Sequence, residues 1–96
     1  MINEFFGRTW SKDYNCYNLA SDAWLKITGK KMIVGDYEQL DKPESPCIVF
    51  MSNSEYSEKH VGIFYNGKVL HLAMRGVQYI KLDLLKLQFK KVSFYK

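Results

Sequence analysis

The sequence predicts an α+β domain in which one N-terminal helix packs on a small antiparallel sheet. Three stretches carry that expectation. Asp13 to Ile27 reads DYNCYNLASDAWLKI, with Leu19, Ala20, Ala23, Trp24 and Ile27 at helical spacing from Cys16. His60 to Met74 holds two apolar runs, HVGIFY and KVLHLAM, on either side of Asn66-Gly67, the favoured pair for a two-residue type I′ turn. Cys47 to Met51 (CIVFM) is a continuous apolar run just after a proline, the pattern of a strand buried on both faces.

A chain of 96 residues suits one domain over 1–96, and an apolar fraction of 47% supplies one core. Aromatic residues make up 16% of it, and large rings raise the area buried per residue. The formal net charge of +4 favours anionic partners without choosing among nucleic acid, wall polymers and membrane surfaces. No basic start followed by an apolar run marks a secretory signal, and no stretch has the length of a transmembrane helix. The expectation is therefore a chain made in the cytoplasm without membrane insertion. Two cysteines, Cys16 and Cys47, do not make a disulfide framework, although one bridge between them stays open.

In chain order, Met1 to Lys12 reads as a short helical or irregular lead-in, turning at Gly7, with its aromatics covering an edge of the core. The helix follows, with Asn15 as N-cap and Gly29 as its stop. Lys30 to Pro46 carries Gly35, Pro43 and Pro46 and reads as connecting structure with a short helical turn near Tyr37 to Leu40. Met51 to Lys59 is polar and reads as a surface loop. Val77 to Lys81 reads as a strand after a turn at Arg75-Gly76, Asp83 to Leu87 as a short helical turn, and Lys91 to Tyr95 as a last strand at a sheet edge.

The hairpin register has a chemical consequence. With Asn66 and Gly67 as the loop, Tyr65 faces Lys68, Gly62 faces His71, and Ala73 faces His60. Side chains alternate between faces, so His60, Gly62, His71 and Ala73 share one face and Val61, Ile63, Leu70 and Leu72 the other. His60 and His71 are then diagonal neighbours, within ring-to-ring reach. The small residues beside them leave room for another element to approach.

Cys16 stands at the first turn of its helix, and the positive end of a helix stabilises a thiolate over a thiol. A lone cysteine there is also a good core filler, as is Cys47. Joined to a histidine pair, Cys16 becomes half of a nucleophile–base couple. His60 takes the thiol proton, and His71 orients the ring of His60. The oxyanion of acyl transfer would form near the Cys16 backbone N–H, which lacks a partner within the helix.

The order YNC opening an amphipathic helix, then HVGIFYNG, then VLH resembles the NlpC/P60 cysteine peptidases. The lead-in FFGRTW and the segment YNCYNLASDAWLKITGK are most similar to the short versions found in phage tail assembly proteins. The resemblance runs from about Gly7 to the final strand. It implies a papain-like core with Cys16 as nucleophile, His60 as base and His71 as orienting residue. It also implies hydrolysis of amide bonds in peptidoglycan peptides through an acyl-enzyme, with no metal or organic cofactor. The implied partners are a peptidoglycan peptide and phage tail proteins, and the implied location is the virion tail. Many cell-wall members carry Asp before the cysteine and Ser-Gly after it, residues that help hold the substrate's amino end. Here Asn15 stands before Cys16, and Tyr17 and Asn18 follow, so the usual γ-D-glutamyl–diamino acid specificity is not implied. Asn15, Tyr14, Trp10 and Tyr17 are the candidate cleft residues, with edge packing as the alternative for the aromatics.

Other readings stay open. A thiol acyltransferase, or an amidase of another substrate, would use the same residues. A structural or interaction module would keep the fold without the reaction. Cys16, Cys47, His60 and His71 are zinc-type ligands, but they lack the close paired spacing of zinc sites. The basic, aromatic tail LKLQFKKVSFYK carries no nucleic-acid motif.

Overall fold

The computed structural model describes residues 2–33, 35–54 and 59–96. Part of the polar stretch expected as a surface loop, residues 55–58, lies outside them.

Helix α1 spans Cys16–Thr28. Its start is set by side-chain chemistry. The Asn15 Oδ1 accepts the backbone N–H groups of Tyr17 and Asn18, and Asn18 Oδ1 accepts the N–H of Asn15 at 2.9 Å. This reciprocal capping box satisfies helix donors that would otherwise have no partner. The helix stops at Gly29, whose φ of 75° is left-handed and whose N–H returns to the Leu25 carbonyl at 2.8 Å.

Ahead of α1, a 3-10 turn over Ile2–Phe5 drives Phe5 into the core. The other lead-in aromatics do not follow it. Phe6 and Trp10 are 45% and 46% exposed, so the expectation that they cover a core edge holds for Phe5 alone.

Among the described residues, six strands form one antiparallel sheet: β1 (Gln39–Leu40), β2 (Cys47–Ser52), β3 (His60–Tyr65), β4 (Lys68–Ala73), β5 (Gly76–Lys81) and β6 (Lys91–Tyr95). Their spatial order is β1-β6-β2-β3-β4-β5. A second helix, α2 (Leu82–Gln88), joins β5 to β6. The β3–β4 hairpin has the expected register, with Tyr65 opposite Lys68 and Gly62 opposite His71. Asn66 and Gly67 both have positive φ, 52° and 85°, as a type I′ turn requires.

Two expectations are corrected. The stretch from Tyr37 to Leu40 is not a helical turn. Gln39 and Leu40 pair with Tyr95 and Phe94 as strand β1, while Tyr37 sets its ring edge-on to Trp24 at 5.9 Å. A strand two residues long carries no periodicity that a sequence pattern can register. Likewise β6 is not an edge strand, because β2 flanks it on one side and β1 on the other. Within the strand Lys91 is the single lysine and is exposed, while Phe94 is buried in the layer beneath α2.

The sheet has an apolar layer on each side. Leu19, Ala20, Ala23 and Trp24 of α1 pack with Ile48, Val61, Ile63, Leu70 and Leu72. On the other face Leu85 of α2 packs with Cys47, Val49, Met51, Val69 and Phe94. This is why β2 reads as a continuous apolar run. Its alternate residues enter two different cores, and fully burying each aliphatic side chain contributes roughly 1.5–3 kcal/mol.

Candidate active site

The strongest polar feature is the pair of histidines. His60 opens β3, and His71 lies on β4 opposite Gly62. His60 Nε2 and His71 Nδ1 are 2.8 Å apart, with the rings crossed at 86°. Glycine at position 62 makes this possible. A Cβ there would stand 2.7 Å from the Leu70 carbonyl oxygen and 3.0 Å from the His71 Cβ. The ring of Phe89, just past α2, stacks on His60 at 5.8 Å with an interplanar angle of 9°.

Burial sets the protonation of the pair. His71 is 2% exposed. Loss of water pushes its pKa down to about 4, and the nearby His60 adds to that, while the Gln78 carboxamide opposes it. Burial lowers the pKa of His60 as well. Both rings are therefore neutral at pH 7. One nitrogen of each carries a proton and the other accepts one. With Nε2 of His60 engaged by His71, its Nδ1 is the nitrogen left for another group.

Cys16 is the first residue of α1 and half-buried, and its thiol is free. It packs against the core beneath α1. The cap of Asn15 takes the N–H groups of Tyr17 and Asn18 rather than that of Cys16. Among the described residues, no hydrogen bond joins Cys16 to His60 or His71.

The phase of the sheet accounts for this separation. Met51 pairs with His60 and Gly62 with His71, so both imidazoles share the face of Val49, Met51 and Val69, which α2 covers. The sequence left room beside Gly62 for a helix on the histidine face. Instead α1 lies on the opposite face, because Val61, Ile63, Leu70 and Leu72 offer its apolar stripe a larger surface to cover. The structure thus brings His60 to His71 but does not bring Cys16 to them.

The candidate cleft residues divide by role. Asn15 is the helix cap. Tyr14 is half-buried in a network with Arg8 and Asp22. The Arg8 guanidinium donates to Tyr14 Oη and, at 2.8 Å, to Asp22 Oδ2, and Tyr14 Oη donates to the same carboxylate oxygen at 2.8 Å. Trp10 and Tyr17 are exposed. Two adjoining hollows lie on the α1 side of β2 and β6. They share Phe50, Lys59 and Tyr95, and neither is lined by Cys16, His60 or His71.

Cys47 is fully buried, and burial raises its thiol pKa, as suits core filling. Cys16 and Cys47 are both free thiols, in different apolar layers. Among the described residues, no three His, Cys, Asp or Glu side chains gather as a metal-binding group. No described helix is long and apolar enough to cross a membrane.

Sequence reasoning missed Asn18, Gln78 and Phe89. The pair Asn15 and Asn18 has capping-box spacing with Asn at its third position, where Glu or Gln is the usual marker. Gln78 and Phe89 carried no signal, because their contact with the histidines depends on how β5 and α2 return to the sheet.

Compared with family models, curated proteins and solved structures, the chain matches none.

Proposed function

We propose that this protein is a thiol hydrolase of papain-like, NlpC/P60 type, cutting amide bonds in peptidoglycan peptides as part of a phage tail. The hydrogen bond between His60 and His71 carries this reading. It uses Nε2 of His60 and leaves Nδ1 for a thiol, which is the division of labour that a base with an orienting partner needs. The motif order, YNC then HVGIFYNG then VLH, supplies the substrate class.

In this scheme His60 Nδ1 takes the proton of Cys16 Sγ, and the sulfur attacks the scissile carbonyl. The oxyanion develops near the N-terminus of α1. His60 then protonates the leaving amine, and water releases the acyl group from sulfur with His60 again as base. The scheme requires Cys16 Sγ to come within hydrogen-bond reach of His60 Nδ1.

A second reading rests on one specific observation. Cys16 packs beneath α1 while the histidines face α2, which suits an interaction module that keeps the fold without the reaction.

Incubation with purified peptidoglycan, followed by mass analysis of released peptides, separates the two. The hydrolase reading expects release by the wild type and none by Cys16→Ala or His60→Ala. No release by the wild type, with Cys16 alkylation unchanged by His60→Ala, leaves the module.

A further inference from the structure

Among the described residues, two buried side-chain polar atoms lack hydrogen-bond partners, His71 Nε2 and Gln78 Oε1. They belong to residues directly opposite each other on β4 and β5. His71 and Gln78 therefore project from the same face of the sheet. The carboxamide of Gln78 already acts on the His71 ring, favouring its protonation against the effect of burial. The last torsion of a glutamine side chain is soft, so its oxygen can turn toward the ring nitrogen. Two buried polar groups each missing one partner are stabilised by that closure.

We infer that Gln78 is a positioning residue: through His71 it selects the tautomer of His60 whose Nδ1 carries no proton. The logic runs along one chain of atoms. Gln78 Oε1 is an acceptor only, so it requires a proton on His71 Nε2. A neutral His71 then has a bare Nδ1. That atom, 2.8 Å from His60 Nε2, must accept, so the proton of His60 sits on Nε2. His60 Nδ1 is left with its lone pair. The inference rests on the proposed role of His60 as a base, since that role needs the lone pair at Nδ1.

Without Gln78 the preference reverses. A proton on His71 Nε2 would be a buried donor with no acceptor, which is disfavoured more than a buried lone pair. The proton moves to His71 Nδ1 and donates to His60 Nε2, and His60 carries its own proton on Nδ1. That form cannot take a proton from a thiol at this atom.

Nitrogen-15 NMR of the histidine rings tests this in the absence of substrate. The chain has two histidines, and His60→Ala assigns the signals. At pH 7.5 the wild type should show Nε2–H on both rings. Gln78→Met, which keeps the side-chain volume without an oxygen acceptor, should switch both to Nδ1–H. A wild-type His60 already carrying Nδ1–H overturns the inference, and the wild-type spectrum alone decides that point should the variant fold poorly. A folded Gln78→Met with both rings unchanged overturns it too, whereas a merely structural Gln78 would leave the tautomers alone. If the tautomers behave as stated but no peptide is released, the inference stands and the hydrolase reading fails.

Discussion

His60 and His71 share one hydrogen bond of 2.8 Å between Nε2 and Nδ1, and their environments differ at the two ends of that bond. His71 is sealed in the layer beneath α2, with Gln78 beyond it. His60 is half-buried under Phe89, with one nitrogen left over. This asymmetry makes the pair directional.

The pair should make stability fall in acid. Well above pH 6.5 both rings are neutral whether the chain is folded or not, so their contribution does not vary. Between 6.5 and about 4 the unfolded chain takes up protons that folded His71 refuses. Stability therefore drops as pH drops, at a slope approaching about 1.4 kcal/mol per pH unit. The loss levels off once folded His71 also protonates. Urea midpoints at pH 7 and pH 4.5 measure it, and His71→Asn should flatten the profile over that interval.

Phe89 shields His60 from water. Phe89→Ala should raise the pKa of His60 towards its ordinary value of 6.5, because burial is what lowers it. An NMR titration of the His60 ring reads this directly. An unchanged midpoint in a folded variant would show that the stacked ring is not the source of the shielding.

Gly62→Ala should destabilise the hairpin. The added methyl meets the Leu70 carbonyl oxygen, which is backbone and cannot swing aside, and it presses on the His71 Cβ. Overpacking of this kind costs about 1–3 kcal/mol. Thermal melting measures the loss, and the His71 ring signals should shift with it.

Asn15→Ala should cost about 1 kcal/mol, the usual value of an N-cap. It removes the acceptor for Tyr17 and Asn18 and leaves the Asn18 side chain holding one half of the box. Asn15→Asp should restore most of the loss, since a carboxylate also accepts and suits a helix N-terminus. Denaturant melts of the three proteins compare them.

Cys16 should alkylate much faster than Cys47 in the folded protein. Cys16 is half-buried at a helix end, while Cys47 is 0% exposed and burial disfavours its thiolate. Peptide mass analysis after a timed exposure to iodoacetamide gives both rates. Slowing of Cys16 in His60→Ala would tie the thiol to the imidazole, and an equal rate would leave them uncoupled.

Much of this architecture was legible because it depends on neighbours in sequence. The helix from Cys16, its cap at Asn15 and its end at Gly29 follow from residues within one or two turns of each other. The type I′ hairpin follows from Asn66-Gly67, and a two-residue loop sets the register that pairs Gly62 with His71. Through that register the sequence itself sets the His60–His71 contact. It also sets the alternation that puts Val61, Ile63, Leu70 and Leu72 on the other face.

Tertiary packing decided what the alternation left open, namely which face α1 would cover. Its apolar stripe took the larger aliphatic surface, and that choice placed Cys16 in one layer and the histidines in the other. Packing also brought Phe89 onto His60, set Gln78 opposite His71, and enclosed β6 between β1 and β2. These are contacts between segments distant along the chain. Their free energy comes from burying area that no single segment contains, so local patterns specified the pieces and their phases, and the shared core chose how they meet.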